Sequence, residues 1–296
     1  MIYSKEEIMK YLLFLIFTTA SMYAQQIQVV TSQGQINIWD SEGNGPAVLF
    51  IHGNSQSGRV FKKQFESRLG QQYRLLAPDL PGHGDSDKAR DLKTYSLKGY
   101  AQVLAEVIQQ LKLEHVVVIG CLLGGHIALE MSLLLTNIDG VMITGAPPIV
   151  MTTQNLQQGF LPFNGFEWLT YPHRFTYEQA RYFTELSCID CSTCETDFII
   201  EDAMKTEGVA RACMTVENNS DSNDGREIVR TMHVPLAVIV TEDSPHINND
   251  YVMNQVQYGS LWRQIQVVKN SKPVFFWEAA ESFNKIVSEF LMDIYS

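Results

Sequence analysis

Six apolar runs rich in Val, Ile and Leu punctuate this chain: AVLFIHG (47–53), YRLLAPD (73–79), HVVVIG (115–120), GVMITGAP (140–147), PLAVIVTED (235–243) and WRQIQVVKN (262–270). Runs of this length without polar alternation suit strands buried on both faces of a parallel sheet. Two helical periods complete the pattern. Leu97, Ala101, Leu104, Ile108 and Leu111 share one helix face, and Phe283, Ile286, Val287, Phe290, Leu291 and Ile294 share another. Strand–helix alternation of this kind folds as a doubly covered, mostly parallel twisted sheet with right-handed crossovers. A shorter pair, IQVVTS and QINIWDS joined at Gly34, precedes the series as an expected hairpin.

The alternation fails between Pro148 and Asp224. That stretch carries Phe160, Phe163, Phe166, Trp168, Tyr171, Phe175, Tyr177, Tyr182 and Phe183. It is expected to be an inserted helical cap over the carboxyl edge of the sheet, with most of these aromatics packing it down and a few lining a cavity. The expected organisation is therefore a leader at 1–24, a core at 25–147 and 225–296, and a cap at 148–224.

Lys10 precedes a short apolar run, Tyr11–Ala20. A transmembrane helix needs about 20 apolar residues, so this run suits the core of an export signal instead. The expected location is periplasmic or secreted, with no transmembrane segment once the signal is removed. That setting bears on the five cysteines. Cys188, Cys191 and Cys194 are spaced C-x2-C-x2-C, with Cys213 beyond them and Cys121 isolated. One or two disulfides among the first four are expected. Free thiols are the next reading, and a metal site ranks last for want of a fourth ligand at matching spacing. No cofactor or metal is called for. A net charge of −11 argues against a nucleic acid partner. The oligomeric state is left open.

Four segments carry the functional signal: FIHGNSQSG (50–58), PDLPGHGDSD (78–87), VIGCLLGGHIALE (118–130) and FFWEAAESFNKIVSEFL (275–291). In their order and spacing they resemble the α/β-hydrolases, especially capped esterase-like and carbon–carbon-bond hydrolases. The resemblance covers essentially the whole chain after the leader. It implies the α/β-hydrolase fold, and an ancestry among enzymes that cleave esters, amides, epoxides or C–C bonds with Ser, Asp or Glu, and His in that chain order.

The resemblance also fixes where those groups should stand. The nucleophile of G-x-Nuc-x-G sits on a strained strand-to-helix turn whose neighbours two positions away must be small. Here the pattern is Gly120, Cys121, Leu122, Leu123, Gly124, so leucine stands where serine should. Cys121 is one place early, flanked by Ile119 and Leu123, and is expected to be a buried thiol. The acid position, counted from Val234-Pro235, holds Ser244, with Asp243 beside it as a weak surrogate. The base position, counted back from Glu278, holds Pro273, which has neither imidazole nor N–H. The histidines are His52, His83, His115, His126, His173, His233 and His246; none follows position 246. His246 is the remaining surrogate base, on a different loop. His52 and His83 are expected to shape loops, and His126 to be a core residue.

Loss of a working triad costs about 10⁶ in turnover, while an oxyanion hole and binding alone retain roughly 10³–10⁴. The resemblance places such donors around Gly53, Asn54 and Ser55 and at the backbone N–H of Leu123. The expectation is an exported, triad-less hydrolase relative with a pocket for a small apolar carbonyl-containing ligand. The alternative is an active carboxylic ester hydrolase using Asp243 or His246 with water. A third reading makes the cysteine-bearing cap a protein-interaction surface.

Overall fold

The structure, a computed structural model, describes residues 24–169, 173–187 and 196–296. Eight strands form one sheet: β1 (Gln25–Thr31), β2 (Gly34–Asp40), β3 (Ala47–Ile51), β4 (Arg74–Pro78), β5 (Val116–Cys121), β6 (Ile138–Thr144), β7 (Leu236–Thr241) and β8 (Gln266–Val268). Their spatial order is β1-β2-β4-β3-β5-β6-β7-β8. The pairs β1–β2 and β2–β4 are antiparallel, and every other neighbouring pair is parallel.

The uninterrupted apolar runs are explained by cover on both faces. Every residue of β3, β5 and β7 is buried. One face packs against α1 (Leu97–Gln110) and α2 (Leu123–Leu134), through residues such as Leu104, Ile108, Ile127 and Met131. The opposite face packs against α7 (Ala280–Tyr295) through Phe283, Val287, Phe290 and Leu291. Helix α1 starts at Ser96, whose hydroxyl accepts the Gly99 N–H at 3.1 Å.

Two local expectations need correction. The hairpin turns at Ser32-Gln33, and Gly34 is already the first residue of β2. The run 262–270 contributes only three residues to β8. Arg263 and Asn270 both take positive φ, 54° and 51°, which ends extended pairing on either side.

Between β6 and β7 the described residues include α3 (Thr153–Gly159), α4 (Tyr177–Ser187), α5 (Asp197–Lys205) and α6 (Gly225–Thr231). A buried arginine ties part of this segment to the loop after β3. The Arg211 guanidinium donates to Ser55 Oγ at 3.1 Å, to the Ala203 carbonyl at 2.8 Å and to the His173 carbonyl. It lies over the Phe175 ring and makes no ion pair among the described residues. Burial pulls its pKa down to about 10.

Among the described residues no helix is long and apolar enough to cross a membrane, and no group of acidic, His or Cys side chains could hold a metal ion. Cys121 and Cys213 are buried free thiols. Residues 1–23 of the leader and Cys188, Cys191 and Cys194 lie outside the described residues.

Candidate functional site

The turn from β5 into α2 is built by glycines. A Cβ on Gly120 would meet the Gly124 carbonyl oxygen at 2.2 Å, and one on Gly124 would meet the Ile51 carbonyl oxygen at 2.1 Å. Only hydrogen fits at either place. Between them the Leu122 backbone is forced to φ 56°, ψ −118°. Its N–H donates to the Thr144 carbonyl at 2.8 Å, and its carbonyl accepts the Gly125 N–H at 3.0 Å. A non-glycine residue held in this region costs about 1–3 kcal/mol, so the surrounding packing must impose it.

The Leu122 side chain occupies the space between two glycines on facing loops. A Cβ on Gly53 would lie 2.9 Å from Leu122 Cδ1, and one on Gly145 would lie 2.7 Å from Leu122 Cδ2. The same point on Gly145 lies 3.9 Å from Pro273 Cβ. Ser244 reaches this neighbourhood from behind, sharing with Gly145 the wall of a small cavity of about 10 Å³. Ser244 Oγ and Asn249 Oδ1, both beside that cavity, have no hydrogen-bond partner among the described residues. Leu122 and Pro273 thus both lie close to Gly145, and Ser244 shares a cavity wall with it.

A larger cavity of about 110 Å³ opens beside Leu122. Its floor is Leu122, Leu123, His126 and Gly145, and Asn54 stands at one side. Leu156, Phe160, Phe163, Leu169, Phe183, Leu186 and Ser187 close it from the helical segment, with His246 and Ile247 from the loop after β7. The wall is overwhelmingly apolar, which suits an acyl chain.

Each residue singled out from sequence now has a place. Asn54 and Leu123 are on the cavity wall. Gly53 abuts Leu122, and its N–H already donates to Gln56 Oε1 at 3.0 Å. Ser55 is buried away from the wall: its hydroxyl donates to Asn54 Oδ1 at 3.1 Å and accepts from Arg211. The Asn54 amide donates in turn to the Arg211 carbonyl at 2.7 Å. Asp243 is exposed and does not line the cavity.

His52 shapes its loop, donating from Nδ1 to the Gly53 carbonyl at 2.7 Å and accepting the Leu80 N–H at Nε2 at 3.0 Å. Asp79 pins the following turn by accepting the N–H groups of Gly58 at 2.7 Å and Asp85 at 2.8 Å. Cys121 packs with Phe50 and Phe275 on the α7 face of the sheet, and burial raises its pKa well above the usual thiol value.

Two histidines singled out from the sequence line the cavity, and the first is buried as expected. His126, expected in the core, and His246, on a loop away from the base position, both reach the cavity wall. For His126 the available signal was its place in the first turn of α2, close after Leu122 in the chain. The Phe160 and Phe183 contribution had no such signal, because helical spacing does not say which aromatics of an insertion face the sheet.

With the site in place, the comparisons decide its family. Solved N-acyl homoserine lactonase AidH, as a mutant complexed with N-hexanoyl homoserine lactone, is 34% identical, with a TM-score of 0.85, over 91% of this chain and 98% of that one. This chain is an α/β hydrolase by family. A model of the alpha/beta hydrolase fold also matches residues 46–176. Among curated proteins, an uncharacterized protein of Mycobacterium tuberculosis is 35% identical over 104 residues, 35% of this chain and 30% of its own length. A pimeloyl-[acyl-carrier protein] methyl ester esterase of Nitrosospira multiformis is 28% identical over 128 residues, 43% of this chain and 48% of its own. The matches thus span about a third to a half of these curated relatives.

Proposed function

We propose that this α/β hydrolase binds a small acyl compound, an N-acyl lactone or a related carbonyl ligand, beneath residues 148–224 acting as a cap, and does not hydrolyse it. The carrying observation is Leu122, which stands at the nucleophile position with its side chain between Gly53 and Gly145, beside an apolar cavity of about 110 Å³. Hydrocarbon at that position has no lone pair for attack and no proton to transfer. The similarity to a lactonase solved with an acyl homoserine lactone supports the ligand class. The apolar run Tyr11–Ala20 after Lys10 supports an exported location.

One observation favours a hydrolytic reading: His246 lines the cavity. It would have to activate water as a general base. Burial, reinforced by the Lys272 charge, pulls its pKa down to about 4, which makes a weak base at neutral pH. The binding reading is therefore preferred.

Calorimetric titration of the purified chain with N-hexanoyl homoserine lactone, alongside pH-stat measurement of ring opening, tests both. Saturable binding with ring opening no faster than in buffer is the expected result. Catalysed opening that is lost in His246→Ala would establish hydrolysis instead.

A further inference from the structure

We infer that the cavity beside Leu122 admits only uncharged ligands: it takes a closed lactone or an ester and turns away the carboxylate that hydrolysis of either would leave. This selectivity rests on the binding reading above and adds to it a discrimination between the intact compound and its opened product.

The wall carries no fixed charge. Among the described residues that line it there is no Asp, Glu, Lys or Arg. Its ionisable side chains are His126 and His246, which burial holds at about 4, so both are neutral at pH 7. Protonating either one at pH 7 to meet an anion would cost a factor of about 10³. Two cations stand behind the wall without joining it. The Arg211 guanidinium is engaged by Ser55 Oγ and by the Ala203 and His173 carbonyls. The Lys272 ammonium donates to the Glu185 carbonyl at 2.6 Å. On the floor, the first turn of α2 begins at Leu123. A helix N-terminus amounts to about half a positive charge, which suits a carbonyl dipole and falls short of what a buried carboxylate needs.

The sequence next to the wall has the same character. The residues that follow Leu169 and Ser187 in the chain, 170–172 and 188–195, include Asp190 and Glu195 and no Lys or Arg. The net charge of −11 also opposes the approach of an anion.

A carboxylate brought against such a wall loses its water and gains no partner, so it takes up a proton before it enters. Hexanoic acid therefore binds as the neutral acid. With a carboxyl pKa of about 4.3, that neutral share falls about tenfold for each pH unit above 5. Methyl hexanoate has the same chain and nothing to titrate.

Calorimetry on the full chain, with hexanoic acid and methyl hexanoate at pH 6, 7 and 8, tests the selectivity. Asp202, pushed up to about 7, is held by Ser57 and lies off the wall, and the ester at each pH cancels any effect of its titration. The ester is expected to bind more than tenfold more tightly at pH 7, with the ratio growing about tenfold per pH unit. N-hexanoyl homoserine lactone is likewise expected to bind more than tenfold more tightly at pH 7 than its ring-opened acid. A ratio under tenfold for either pair at pH 7, or an ester-to-acid ratio level from pH 6 to 8, would mean that the charged form binds. Either result would overturn the charge selectivity and leave the binding reading intact. Saturation by neither the ester nor the lactone would overturn both.

Discussion

At the end of β5, added methyl groups on Gly120, Gly124 and Gly125 would fall 2.2, 2.1 and 2.4 Å from the Gly124 oxygen, the Ile51 oxygen and Ala146 Cβ. Beyond the ends of β7 and β8, by contrast, Ser244 and Pro273, where the resemblance would put acid and base, lie past the paired residues of either strand. The turn is specified by close packing of backbone on backbone, which folding itself requires. The glycines thus fix the backbone of this turn whatever side chain position 122 carries.

The sharpest challenge to this contrast is Gly124→Ala. Its new methyl meets rigid backbone, so a loss of about 4 kcal/mol or more is expected, read as absence of a folded fraction in a denaturant titration. A stable Gly124→Ala protein would show that the turn is not held by packing.

The second test concerns acid stability. Burial holds His52 and His126 at about 4 in the folded chain against 6.5 when unfolded. Their depressed values give stability that is complete above pH 6.5 and drains away as pH falls toward 4, by up to about 3 kcal/mol each. Asp202, pushed up to about 7 mainly by burial, works in the opposite sense, costing stability as pH rises from about 4 to 7. The histidines outnumber it. Melting temperature should be flat above pH 7 and fall steeply below 6.5, with a shallower slope in His126→Phe.

A smaller effect sharpens the account of Leu122. Glycine usually destabilises a structured position relative to alanine, but at φ 56° the preference reverses. Leu122→Gly should therefore be more stable than Leu122→Ala by about 1 kcal/mol, measured by chemical denaturation. The reverse order would mean that Leu122 is unstrained.

The smallest effect is expected at Asp243, which is exposed and off the cavity wall. Asp243→Ala should shift stability by less than about 0.5 kcal/mol and leave ligand affinity unchanged. A marked loss of affinity would return that residue to the site.

Much of the fold was legible in advance because buried parallel strands write continuous Val and Ile runs, as in AVLFI and VVVIGC, and because α1 and α7 repeat their apolar residues at helical spacing. The glycine turn and the leucine within it were equally plain. Less legible was the short β8, because nothing in WRQIQVVKN announces the positive φ of Arg263.

The linear order of residues thus determined the sheet, its helical cover and the absence of a serine, acid and histidine at the expected positions, since each is a local property of pattern or identity. Only the folded chain decided that Leu122 and Pro273 meet at Gly145 and that His126 and His246 share one cavity wall. It also decided that Arg211 is buried against Ser55. Those facts join residues as far apart as 156 positions along the chain, and such pairings are set by three-dimensional packing rather than by any local preference.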